Sequence, residues 1–147
     1  MIDVVLIGAG NVATHLAIGL HKRGIHIRQI FSRTTTSAQL LAEQVGATFT
    51  SSKSAIYTDA SLYICSVKDS EISTVLTNID FHNKLLIHTA GSVALDILAP
   101  FSANYGVLYP LQTFSKSKPI NWEQCSLFIE ANNEKNAEFI LQIASLL

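Results

Sequence analysis

The chain has 147 residues, of which 48% are hydrophobic and 14% charged, and its net charge is −1. That length suits one domain with a real core, and that composition excludes a disordered chain. The near-neutral charge, with no dense basic cluster, excludes a nucleic-acid footprint, and no apolar run reaches the length of a membrane span. The first strand starts at Ile2, which leaves no room for a charged leader and a cleavage site, so a cytoplasmic location is expected. Cys65 and Cys125 both sit in apolar, strand-like runs and read as buried free thiols. The five histidines show no ligand spacing, so no metal site is expected.

Ile2 to Ile7 reads as a first strand, apolar nearly throughout as a central parallel strand should be. It runs into Gly8-Ala9-Gly10-Asn11-Val12-Ala13, a Gly-x-Gly-x-x-Ala turn, and then into a helix from Asn11 to Arg23. Val12, Ala13, Leu16, Ala17 and Leu20 share one face of that helix, and Gly24 ends it. His26 to Phe31 is a second strand, followed by Ser32-Arg33-Thr34. A helix over Thr36 to Val45 stops at Gly46, and Ala47 to Phe49 is a short third strand. Leu62 to Val67 is a fourth strand. Asp69, Ser70 and Glu71 open a helix that runs to about Leu76, with acids at the positive end of its dipole. Lys84 to His88 is a fifth strand, and the loop Thr89-Ala90-Gly91-Ser92 leads to a short helix through Leu95 and Leu98. Tyr105 to Tyr109 is a sixth strand, Gln112 to Trp122 a polar loop and Ser126 to Glu130 a seventh strand. Asn133 starts a last helix that is still running at Leu147. Its residues Phe139, Ile140, Leu141, Ile143, Ala144, Leu146 and Leu147 leave little polar face, which predicts burial on more than one side and self-association, a homo-oligomer.

Alternating strands and helices predict an α/β fold of the doubly wound, Rossmann type, a mostly parallel sheet with helices on both faces. The expected strand order is 3-2-1-4-5-6, with the seventh strand beyond the sixth. The ligand crevice then lies between strands one and four, at their carboxyl ends.

The glycine turn is what a dinucleotide needs. Gly8 turns the chain tightly out of the strand, Gly10 lets backbone approach a pyrophosphate, and the free amides of the helix's first turn face the phosphates. A turn that only packs strand on helix, or a methyltransferase nucleoside site, are the competing readings. Ser32-Arg33-Thr34 stands about twenty residues on, where an acid would grip the ribose hydroxyls of NAD. An Arg flanked by hydroxyls suits the 2′-phosphate of NADP instead, or else is a solvated Arg at a strand end with Ser and Thr capping the next helix. Ser66, Val67 and Lys68 end the fourth strand and border the adenosine ribose and diphosphate, although an exposed Lys68 beside Asp69 reads equally as solvated. His88 and Thr89 end the fifth strand. They stand either near the nicotinamide or, for His88, as a histidine satisfied by neighbouring backbone. Gln112 and Thr113 either face a substrate or cap a turn.

These segments together resemble a known group. Gly-Ala-Gly-Asn-Val-Ala, Ser-Arg-Thr, Ser-Val-Lys-Asp and His-Thr-Ala-Gly-Ser look like the cofactor domain of the pyrroline-5-carboxylate reductases and the deazaflavin-dependent NADP oxidoreductases. With Tyr-Pro-Leu-Gln-Thr-Phe added, the chain resembles more closely a bacterial Rossmann-like family whose C-terminal half is a domain of unknown function. The resemblance implies NADP(H) binding at Gly8, Ala9, Gly10, Asn11, Val12, Ser32, Arg33, Ser66 and Val67. It also implies a helical second domain, so residues 1–147 read as the NADP-binding domain of a longer protein and the chain as a fragment. The function expected is the cofactor half of an NADPH-dependent reductase acting by hydride transfer on a small imine or keto substrate, with the catalytic group not assigned. The alternative is a module that binds or senses a dinucleotide without catalysis.

Overall fold

A computed structural model describes all 147 residues. Strand β1 (Asp3–Ile7) leads to helix α1 (Asn11–Lys22), β2 (His26–Phe31), α2 (Thr35–Val45) and β3 (Thr48–Thr50). Next come β4 (Leu62–Cys65), α3 (Ile72–Leu76), β5 (Leu85–His88), β6 (Tyr105–Leu111), β7 (Ser126–Ala131) and α4 (Glu134–Ser145). Single 3-10 turns at Lys53–Ala55, Asp69–Glu71, Leu95–Leu98 and Trp122–Gln124 fill the longer connections.

The seven strands form one sheet in the order β3-β2-β1-β4-β5-β6-β7. The order reverses between β2-β1 and β4, as expected. Every pair is parallel except β6–β7, which runs antiparallel. The connection from Leu111 to Ser126 contains no crossover helix, only a loop and one 3-10 turn. A parallel pair needs a crossover, so β7 returns beside β6 in the opposite sense.

Alternation along β1 sends its side chains to two cores. Val4 and Leu6 join α1, α2 and α4 on one face. Val5 and Ile7 join Tyr63, Cys65, Leu86, α3 and the 3-10 turn at Leu95–Leu98 on the other. Helices therefore cover both faces, the second more thinly.

The last helix departs from expectation. Ile140, Ile143, Ala144 and Leu147 are buried against the sheet, while Glu134, Lys135, Glu138, Gln142 and Ser145 are exposed. Leu141, 57% exposed, is the one large apolar side chain on the outer side. The polar residues fall together at the helical period, so the helix has one buried face. The reason for expecting self-association through it falls away. No helix is long and apolar enough to cross a membrane.

Candidate functional site

A cleft of about 670 Å³ opens at the carboxyl ends of β1, β2, β4 and β5, where the strand order reverses. The position follows from topology: the loops leaving β1 and β4 run to opposite sides and leave a gap between them.

The turn after β1 forms the floor. Gly8 has φ +117°, and a Cβ there would stand 2.2 Å from the Ser66 carbonyl oxygen. Its φ and its neighbour both demand glycine, and both demands come from the fold itself. Gly10 is the opposite case. Its φ of −78° suits any residue, and a Cβ there would meet nothing within 4 Å. Neither backbone strain nor protein packing requires glycine at position 10. What glycine leaves is bare backbone at the entrance of α1, beside the free amides of its first turn, an arrangement that suits an anion. Ala9, Asn11 and Val12 line the same floor. The Thr14 hydroxyl donates to the Gly10 carbonyl oxygen at 2.7 Å and fixes the turn.

The rim beyond β2 carries Ser32, Arg33 and Thr34, all lining the cleft. Ser32 Oγ accepts the Thr34 N–H at 3.3 Å, which shapes the bend into α2. The Arg33 guanidinium is 71% exposed and reaches across the cleft to Glu71, Nη2 to Oε1 at 2.7 Å. On the far wall Ser66, Val67, Lys68 and Thr89 line the cleft as expected. The Thr89 hydroxyl donates to Ser66 Oγ at 3.1 Å and ties the ends of β5 and β4 together. The Ser92 hydroxyl donates to Asp69 at 2.8 Å and joins the loops that follow them.

His88 is the exception. It is fully buried and does not line the cleft. Its Nδ1 accepts the Ala90 N–H at 3.1 Å, and its Nε2–H donates to the Ala94 carbonyl oxygen at 3.3 Å. Burial pushes its pKa below the ordinary value of 6.5, so the neutral tautomer with the proton on Nε2 is the one held. The alternation of β5 aims position 88 into the core, so His88 shapes the loop after β5 and does not reach the cleft surface. Gln112 and Thr113 are exposed and also lie outside the cleft.

Several lining residues carry no motif. Lys53, on the 3-10 turn after β3, donates to the Thr74 and Thr77 carbonyl oxygens at the end of α3. Glu71 supplies the carboxylate opposite Arg33. Lys116 comes from the loop between β6 and β7. That loop is pinned to α1, where the His15 Nε2–H donates to the Ser115 carbonyl oxygen at 2.6 Å and Phe114 packs between His15 and Trp122. In all, the cleft gathers Arg33, Lys53, Lys68 and Lys116 against Asp69 and Glu71, a surplus of positive charge suited to a polyanion.

The family model for NADP oxidoreductase, coenzyme F420-dependent, matches residues 3–92. The chain belongs to this NADP oxidoreductase family. A Bacteroides fragilis protein assigned as an NADP oxidoreductase is 39% identical, with a TM-score of 0.91, over 99% of this chain and 57% of its own. Prephenate dehydrogenase from A. aeolicus, solved with hydroxyphenyl propionate and NAD+, superposes with a TM-score of 0.81 at 9% identity, over 99% of this chain and 57% of that one. 1-Pyrroline-5-carboxylate reductase from Streptococcus pyogenes gives 0.77 at 20% identity, over 98% and 55%. The two last likenesses concern the fold alone. No curated protein matches. The chain spans little more than half the length of these solved structures. The matched residues 3–92 include the glycine turn and every residue lining the cleft except Lys116.

Proposed function

We propose that the chain is the NADP-binding domain of an NADPH-dependent reductase that transfers hydride to a small imine or keto substrate. The observation that carries this reading is Arg33 on the rim beyond β2, in a cleft whose floor leaves Gly10 bare. No carboxylate follows β2, where NAD-binding sites hold the ribose hydroxyls. Arg33, with the Ser32 and Thr34 hydroxyls beside it, presents charge and donors to a 2′-phosphate. Lys116 and the first-turn amides of α1 face the pyrophosphate. Ser66, Val67 and Thr89 border the remainder of the dinucleotide. When bound, NADPH supplies the hydride; the protein binds, orients and keeps water away. Thr89 and Ala90, at the β5 end of the cleft, carry no titratable group, so this wall positions a ring and moves no proton.

Calorimetry of the chain with NADP+ and NAD+ tests the proposal. Binding of NADP+ in preference to NAD+ supports it. Equal binding of both removes the phosphate subsite, and binding of neither removes the cofactor reading.

A further inference from the structure

A second groove, of about 350 Å³, adjoins the cofactor cleft, and Ala90 lines both. It lies on one face of the sheet at the carboxyl ends of β5 and β6. Its size falls in the range of small-ligand sites, roughly 300–1,000 Å³. Val93 and Val107 form its base. The rings of Tyr109 and Phe128 stand 6.2 Å apart at 30° and form one wall. A Cβ on Gly91 would stand 2.4 Å from the Tyr109 ring, so glycine there lets the ring pack directly on the loop backbone and fixes its place. Phe128 is 53% and Leu111 55% exposed, large apolar surface left open in this chain.

Two polar groups stand in this apolar setting. The Tyr109 hydroxyl makes no hydrogen bond within the chain, and Glu130 makes no ion pair. The register β5–β6–β7 places His88, Val107 and Glu130 in one row on this face. His88 is buried beneath and held neutral, so it adds no positive charge to the groove. No lysine or arginine lines it. Its one formal charge is therefore the Glu130 carboxylate.

We infer that this groove is a substrate subsite for a small monocation with an apolar body, an amine or iminium, and that it rejects a carboxylate. The inference rests on the reductase reading above and narrows its substrate from imine or keto compounds to cationic ones. A keto acid would bring its carboxylate to a wall whose charge is negative. An iminium carbon that accepts hydride moves its π pair onto nitrogen and becomes a neutral amine, while the reduced nicotinamide is oxidised. That change needs no proton from the protein, in keeping with a cleft wall without a titratable group.

The test is an NMR titration of the 15N-labelled chain with benzylamine, protonated at neutral pH, and with phenylacetate and benzyl alcohol as anionic and neutral counterparts. Benzylammonium is expected to shift the amides of Gly91, Val107, Phe128 and Glu130 at lower concentration than either counterpart. Glu130→Gln should weaken benzylammonium about two- to fivefold, the size expected of an exposed charge pair, and leave benzyl alcohol unchanged. Glu130→Lys, at an exposed position that tolerates it, should turn the preference to phenylacetate. Phenylacetate or benzyl alcohol matching benzylammonium in the wild type overturns the inference, as does indifference to Glu130→Gln. So do amide shifts at Leu111 and Phe128 that depend on protein concentration without ligand, since a second copy would then cover the face. Calorimetry of Glu130→Gln with NADP+ separates the two readings: a chain that binds no dinucleotide sinks the reductase reading, while the cation preference is read from the titration alone.

Discussion

On the proposed reading, the ion pair across the cleft makes cofactor selectivity a contest between two ligands for one guanidinium. Without cofactor, Arg33 holds Glu71 at 2.7 Å. A 2′-phosphate must take its place. A hydrogen bond to a charged group contributes about 1.5–3 kcal/mol, and the 71% exposure of Arg33 puts the contact at the low end. Giving up an exposed ion pair costs about 0.2–1 kcal/mol. The net preference for NADP+ over NAD+ is then about 1 kcal/mol, roughly fivefold. Arg33→Gln should abolish that preference and leave NAD+ affinity unchanged. Glu71→Gln should act the other way, freeing Arg33 and raising NADP+ affinity about two- to threefold with no gain for NAD+. In the double variant the Glu71→Gln gain should vanish, because there is no guanidinium to free. Calorimetry with both dinucleotides at low salt reads all four proteins. Equal loss of NADP+ and NAD+ in Arg33→Gln would refute the argument, as would a Glu71→Gln gain that survives without Arg33.

The two turn glycines should separate stability from binding. Gly8→Ala meets the Ser66 carbonyl oxygen at 2.2 Å with φ at +117° and should cost about 3 kcal/mol in urea unfolding. Gly10→Ala should leave the unfolding midpoint unchanged and weaken both dinucleotides about tenfold, read by calorimetry. His88, whose pKa burial holds below 6.5, binds its proton more readily unfolded than folded. Its contribution to stability is full above pH 6.5 and is lost as pH falls through the lowered folded value. Urea midpoints between pH 7.5 and 5 should show that fall, and His88→Asn should flatten it. Burial pushes the Cys65 thiol up to about 12, so at pH 8 it should react with a thiol reagent only after the chain unfolds.

Much of this was legible in the sequence because it is local. An apolar run before Gly8, the helical period after it and the stops at Gly24 and Gly46 each follow from neighbours a few residues apart, and so the strand order followed from the alternation. Gly10, Ser32, Arg33, Ser66 and Thr89 line the cleft, as topology leads one to expect of strand ends. The same rule left His88 open between two readings, because being last in a strand does not say which face a side chain takes. The last helix misled for a related reason: its apolar count is high, but Glu134, Glu138, Gln142 and Ser145 recur at the helical period and keep one face in solvent. Glu71 read as a helix-opening acid, which it is, and nothing local shows that Arg33 lies opposite.

Lys116 is the clearest case of what periodicity cannot reach. It is placed by His15, 100 residues from Ser115 in sequence, whose Nε2–H donates to the Ser115 carbonyl oxygen and whose ring meets Phe114, itself packed on Trp122. Gly19 takes part as well, since a Cβ there would stand 2.6 Å from the Trp122 indole nitrogen. The helix that presents its amides to the cleft therefore also anchors the loop that brings a cation over it. On the reading proposed here, Lys116 and those amides act on the pyrophosphate that NAD+ and NADP+ share. Arg33 and Glu71, on the rim beyond β2, act on the group that differs. Overall affinity and cofactor choice then rest on separate residues, and a substitution at one end of the cleft can change the choice while leaving the grip at the other intact.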